Sequence, residues 1–192
     1  MITDKIKAVN RLYGQSDRHV SAFKRRACLA CEQGCGDCCR KEDLHATILE
    51  FLPAAHHLYL SDSYQTVLDR IQQREDTTCV FYDPYGKEGH CSMYQERGLI
   101  CRLFGFSATT DKKGDKKLVA CKKIKEMLVD CAPGAVQQHA PNMSSYYLRL
   151  YGIDPDLSMK YFPVNQAIKK AIETVVFYFD LRKEPAELGE MV

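Results

Sequence analysis

Five cysteines fall within twelve residues, in the run Cys28-Leu29-Ala30-Cys31-Glu32-Gln33-Gly34-Cys35-Gly36-Asp37-Cys38-Cys39. Cysteine is the side chain that supplies thiolate sulfur, so such a run speaks of bound metal or of disulfides. Cys28 and Cys31 form one C-x-x-C pair, and Cys35 and Cys38 a second. That spacing lets two thiolates reach one ion while turn amides donate to the sulfurs, and Gly34 and Gly36 supply the backbone freedom such a turn needs. One buried thiol is ordinary core material; five in twelve residues are not. The adjacent Cys38 and Cys39 add a constraint. Neighbouring side chains diverge by about 100° on a helix and about 180° on a strand. The pair therefore serves two metals, or two corners of one multi-iron cluster, or leaves one thiol to the core.

Four further cysteines, Cys79, Cys91, Cys101 and Cys121, are dispersed. Their spacing suits loops that fold back onto the first run; a self-contained zinc ribbon would want two tight knuckles. Each is read as a ligand. Cys131, just ahead of Ala132-Pro133-Gly134, is read as a core or helix-end thiol. Compartment favours metal over disulfides. Lys5, Lys7, Arg11, Arg18, Lys24, Arg25 and Arg26 interrupt every apolar run in the first thirty residues. No signal peptide is visible, and the expectation is a cytoplasmic protein whose thiols stay reduced. The longest apolar stretch, 175–179, is far too short to cross a bilayer.

Other residues compete weakly. His90, beside Cys91, is the one candidate nitrogen ligand; with His56 and His57 it is read as a solvated side chain. Arg40 and Arg102 each follow a cysteine. Four thiolates around a divalent ion leave a net negative charge, which nearby cations would stabilise. Glu50 could pair with one of these arginines, although a solvated helix face is the simpler reading. The lysines Lys112, Lys113, Lys116, Lys117, Lys122, Lys123 and Lys125 make a basic run without interleaved aromatics, which reads as a solvated hairpin more than a nucleic-acid face. No paired-carboxylate site, Ser-His-Asp set or phosphate loop is evident, so no catalytic residue is assigned.

Cys35-Gly36-Asp37-Cys38-Cys39-Arg40 is followed by Cys79-Val80-Phe81-Tyr82, then Gly89-His90-Cys91-Ser92-Met93-Tyr94, then Arg97 and Cys101-Arg102-Leu103-Phe104. This ordered series resembles the YkgJ family of cysteine-cluster proteins, which carry a zinc- or iron-chelating CxxCxxCC domain. The resemblance covers about residues 28–125. Matched by position, it implies a ligand set of Cys31, Cys35, Cys38, Cys39, Cys79, Cys91, Cys101 and Cys121. It implies a [4Fe–4S] iron–sulfur cluster or zinc as cofactor. The family commonly has two residues between its first two cysteines, whereas Cys31 and Cys35 are separated by three, so Cys28 and Cys31 compete for the first role. Arg97-Gly98 stands where the family tends to have Arg-Pro. Some relatives are linked to flagellin lysine methylation and resemble iron–sulfur proteins. This chain shows no glycine-rich nucleotide or S-adenosylmethionine loop, so that activity is not carried over.

The elements that must hold these cysteines read as mostly helical. Thr3 to Ala27 predicts one or two helices, with Gly14 and Ser16 able to break between them. Asp43 would cap a helix through Leu52 that Pro53 ends or kinks, and Ser61 or Ser63 would cap another through Ile71. The middle is rich in turns, with short strands expected at Cys79–Tyr82, Leu103–Ser107 and Lys117–Ala120 and a hairpin at Gly114. The clearest helix starts near Asn165. The tail from Glu184 reads as loose. The 192 residues include 10 Cys and no Trp, with 27 basic against 25 acidic side chains for a net charge of +2. That balance suits a globular chain and gives no global field to recruit nucleic acid or an anionic membrane. The expected fold is mainly α with a small irregular β element, a single domain organised around a cysteine-bound metal centre. A helical segment at 1–27 and C-terminal helices at 126–192 would flank the metal-binding part, 28–125. The expected function is metal binding by clustered cysteines with no assigned reaction. The alternatives are an iron–sulfur accessory enzyme of protein modification and a zinc-stabilised interaction module for a protein or nucleic-acid partner.

Overall fold

A computed structural model describes residues 1–31, 35–86, 90–127 and 138–182. Cys131 and the tail from Glu184 lie outside the described residues. Helix α1 runs unbroken over Ile2–Arg26. Of the one or two helices read from the sequence the structure has one, with no break at Gly14 and Ser16, because Val9, Leu12, Tyr13, Ser16 and Val20 all sit on one buried stripe. Burial of that stripe outweighs the roughly 1 kcal/mol that a mid-helix glycine costs. The Ser16 hydroxyl turns back to donate to the Tyr13 carbonyl at 2.9 Å.

The next helix starts later than its sequence suggests. Leu44 precedes strand β1 (His45–Thr47), and α2 spans Ile48–Leu60. Thr47, not Asp43, is its cap, and Glu50 completes a capping box by accepting from the Thr47 amide at 2.9 Å. Pro53 lies inside α2 without ending it. Helix α3 covers Tyr64–Gln73, with Ser63 at its start. The expected strand at Cys79–Tyr82 is instead a turn that reaches one isolated bridge, Tyr82 to Cys91. Short helix α4 (Leu99–Leu103) takes part of the sequence expected as a strand, and β2 follows at Ser107–Thr110. It pairs antiparallel with β3 (Lys116–Val119) in the hairpin expected at Gly114, whose φ of 89° is the left-handed turn conformation. Helix α5 covers Lys122–Met127, α6 Met143–Tyr151, α7 Pro155–Ser158 and α8 Val164–Asp180. Strand β4 (Tyr161–Pro163) returns to pair antiparallel with β1, a long-range partnership no local pattern announces.

The mainly helical single domain with two small antiparallel sheets has one continuous core. Helix α2 packs more extensively on α8 than any other described helix pair packs. Leu49, Leu52, Ile168 and Ile172 are fully buried in the core. Helix α1 crosses α4 and α6. The cysteine segments are laid over this helical frame. No described helix is long and apolar enough to cross a membrane.

Candidate metal centre

All nine cysteines among the described residues are free thiols. Helix α1 delivers the chain to the first run through a left-handed C-terminal residue, Cys28, at φ 51°. The Leu29 amide bonds back to the Lys24 carbonyl at 3.0 Å, which closes the helix end and leaves Cys28 exposed. Gly36 then turns left-handed at φ 62° ahead of a 3-10 turn, Asp37–Arg40. A Cβ on Gly36 would meet the Tyr82 ring at 2.7 Å and the His90 Cβ at 2.8 Å. Glycine is therefore required for the first run to lie against the Tyr82–Cys91 bridge.

Two further devices close the site. The Cys79 amide donates to the Cys39 carbonyl at 2.8 Å. The Asn165 side chain, on the first turn of α8, clamps Cys79 from both sides: it accepts from the Val80 amide at 2.8 Å and donates to the Thr78 carbonyl at 2.9 Å. The bridge that carries Cys91 is held by Asp83 N–H to the His90 carbonyl and Ser92 N–H to the Phe81 carbonyl, both 2.9 Å. Cys101 rides on α4. That helix is pinned where the Ile100 amide donates to the buried Glu50 carboxylate at 2.7 Å.

The result is a set of interacting thiols in two parts. The Cys39 thiol is raised because it donates toward Cys38, Cys79 and Cys91, and the same contacts lower Cys38 and bring Cys91 down to about 7. Burial raises Cys101, and Cys38, Cys79 and Cys91 add to the rise. These five make the inner part. Burial likewise raises Cys31, with Cys35, Cys38 and Cys121 adding to it and Lys24 opposing. Those four make the outer part. Cys38 belongs to both, and its thiol also meets that of its neighbour Cys39.

Cations face both parts. Lys123 Nζ lies 3.6 Å from Cys35 Sγ and 3.7 Å from Asp37. Arg97 acts on Cys38 and Cys91, favouring their thiolates. Arg40 sits by Asp37 and is felt by Cys35. Arg102 does not serve as a counter-cation. Its buried guanidinium donates to Asp17 and to the carbonyls of Gln95 and Arg97 and lies 4.4 Å from the Tyr13 ring centre, fastening the Cys91–Cys101 segment to α1. Sequence reasoning missed Arg97 and Lys123 in this role, and also Asn165, because only the fold brings them to the thiols.

Glu50 corrects another expectation. It is fully buried, and burial pushes its carboxyl up to about 7 despite bonds from Thr47, Ile100 and Tyr147. His90 Nδ1 lies 3.1 Å from the Asp83 carbonyl; since a carbonyl only accepts, Nδ1 carries the proton and donates. His57 lies 3.8 Å from Glu96, and His56 packs on Phe179.

Among the described residues, no three His, Cys, Asp or Glu side chains stand at a geometry that already holds an ion. The donor chemistry nonetheless fits a thiophilic metal. The groups brought together are sulfurs, cations offset the charge that thiolates would gain, and Cys38 and Cys91 have thiols already lowered toward ionisation.

The chain matches the family described as "CxxCxxCC: Putative zinc- or iron-chelating domain" over residues 30–131. It belongs to this family. The match takes in more than half of the chain and every cysteine in the two thiol groups. No curated protein and no solved structure matches the chain. Family membership makes zinc or iron binding the general property of this domain.

Proposed function

We propose that the chain is a chelator with two four-thiolate centres: Cys39, Cys79, Cys91 and Cys101 at the inner one, and Cys31, Cys35, Cys38 and Cys121 at the outer one. What supports the partition is which thiols act on one another: Cys31 is coupled to Cys35, Cys38 and Cys121, and Cys39 is bonded toward Cys38, Cys79 and Cys91, so Cys38 is shared and goes to the outer centre to give each centre four thiolates. Cys31, and not Cys28, takes the first ligand role. We further propose iron at the inner centre, as a [4Fe–4S] cluster, and a second metal ion at the outer one. An all-thiolate set suits either zinc or an iron–sulfur cluster. Burial of Cys39 and Cys79 at 5% and 4% exposure favours the cluster, because it shields the group from solvent and oxidant.

The chain's own residues would do three things. Ionisation of the thiols on loading releases protons, which Cys91 and Cys38 give up most readily. Arg97, Lys123 and Lys24 offset the negative charge of the loaded thiolates. Asn165 and Glu50 hold the Cys79 turn and α4 at fixed places, so that sulfurs separated by long stretches of chain meet. When bound, a cluster supplies one-electron redox capacity and a weld between these loops. The test is iron, zinc and acid-labile sulfide analysis of protein purified without air. Iron and sulfide in similar amounts with a brown colour are expected. Colourless protein with stoichiometric zinc and no iron would remove the cluster and leave the ligand partition standing.

A further inference from the structure

A cleft of about 380 Å³ lies between α1, β3 and α6, on a surface that the thiol groups do not use. Arg26, Lys116 and Arg149 line it, together with His19, His139 and Ser145. Among the described residues no carboxylate lines the cleft. The chain as a whole carries nearly equal numbers of acidic and basic groups, so an acid-free cleft with three cations is a local segregation of charge. Like charges gathered without counter-charge give the cleft a positive local potential, which attracts an anion.

We propose that this cleft binds a phosphate group, either free or at the end of a small molecule. Two guanidiniums from different elements offer their remaining N–H donors to a multiply charged oxyanion, Arg149 also donating to the Gln15 side chain and Arg26 facing His139. The Lys116 ammonium is held in place by the carbonyls of Gln138 at 2.6 Å and Ala140 at 3.4 Å, which fixes its charge at the cleft without neutralising it. Arg26 approaches His139 Nδ1 at 3.5 Å. A guanidinium has no acceptor, so Nδ1 accepts and the His139 ring presents its other N–H as a donor. His19 Nδ1 lies 3.2 Å from the Tyr146 hydroxyl, which leaves Nε2 on the other side of the ring. The Asn142 side chain already caps α6, accepting from the Ser145 amide at 3.0 Å, so the helix end adds its dipole without being the site. The volume falls within the range of small-molecule sites and leaves room beyond a phosphate.

The titratable groups that act on His19 or line the cleft with it are Arg26 from its own helix, Lys116 from β3, His139 from the segment before α6, and Tyr146 and Arg149 from α6. Burial, then Lys116 and Arg26, hold its imidazole below the ordinary histidine value. A bound dianion would offset the two cationic contributions, so His19 would titrate at higher pH when the cleft is filled.

The proposal does not depend on the metal reading. The test titrates the metal-loaded full chain with inorganic phosphate, phenyl phosphate and a short single-stranded oligonucleotide, by calorimetry and by histidine proton NMR. Saturable one-to-one binding of phosphate is expected, with the His19 resonance titrating at higher pH in the saturated protein. Tighter binding of phenyl phosphate assigns the ligand as a small monoester; equal affinity assigns it as phosphate itself. Arg26→Gln and Arg149→Gln, both at exposed positions, should each weaken binding about tenfold or more, with metal content unchanged. Absence of saturable binding by both small probes would overturn the proposal, as would affinity unaltered in the double variant. Oligonucleotide binding alone would overturn it too, and would assign the face to nucleic acid.

Discussion

Cys39 and Cys121 sit in different thiol groups, and their substitutions separate the two proposed centres. Cys39→Ser is expected to lose the metal of the inner centre and keep that of the outer one, and Cys121→Ser the reverse. Cys28→Ser, at the exposed end of α1, should lose neither. Elemental analysis of each variant reads this directly, and identical losses from Cys39→Ser and Cys121→Ser would instead indicate one polynuclear centre. Glu50 offers a second residue-scale test. Its carboxyl ordinarily titrates at 4.5 and is pushed up to about 7, first of all by burial. The folded state thus binds a proton more tightly than the unfolded chain between those values. The contribution is fully present below about pH 4.5 and is lost as pH rises to about 7, amounting to as much as about 3 kcal/mol. The Tyr147 hydroxyl lies 3.3 Å from both carboxyl oxygens and donates to them. Urea melts across this range should show that slope in the wild type and lose it in Glu50→Gln. The substitution itself should cost about 1–3 kcal/mol, because an amide nitrogen must face one of the backbone donors from Thr47 and Ile100.

At the scale of elements, α8 does more than fill the core. Its first turn carries Asn165, and the two bonds of that side chain hold the backbone on either side of Cys79. Asn165→Ala leaves the Val80 amide and the Thr78 carbonyl without their partner, at a cost of about 1–3 kcal/mol. The expected outcome is weaker metal retention at the inner centre against a competing chelator, with the far-ultraviolet circular dichroism of the helices unchanged. Unaltered retention would show that Cys79 is placed without α8. The hairpin of β2 and β3 behaves differently. It was legible from Lys113-Gly114-Asp115, because a left-handed glycine and an Asp111 carboxylate accepting from the Lys113 and Asp115 amides are local requirements. Strand β1 was not legible. Three residues between a turn and a helix carry no period, and their pairing with β4 depends on a partner more than a hundred residues away.

For the molecule as a whole, two sources of stability meet. The helical frame has its own core, with Leu49, Leu52, Leu150, Ile168 and Ile172 fully buried, whereas the cysteine segments 27–44 and 74–98 hold, among the described residues, no helix beyond the 3-10 turn Asp37–Arg40. Removal of metal under reducing conditions should therefore lower the Tm by more than about 5 °C without unfolding the helices. Hydrogen exchange should show the change. Amides of α2 and α8 should stay protected in metal-free protein, while those of 35–40, 79–82 and 91–101 should exchange much faster. Complete loss of helix on metal removal would mean that the centre nucleates the whole fold.

The cysteine chemistry was readable from the chain because ligand type and tight spacing are local properties. Two C-x-x-C pairs and a doubled cysteine identify soft-metal chemistry whatever surrounds them. The helical class was readable for the same reason, since the stripe from Ile168 to Val175 is a local period. The roles of the charged residues were not. Arg40 and Arg102 are equivalent in sequence, each following a cysteine, yet one stays by the outer thiols and the other is drawn to Asp17 and the Tyr13 ring. Glu50 looked solvated until Tyr13, Tyr147 and α4 closed over it. Burial, counter-charge and thiol partnership are set by groups distant in sequence. Only folding brings them within a few ångströms, where electrostatics and hydrogen bonding act.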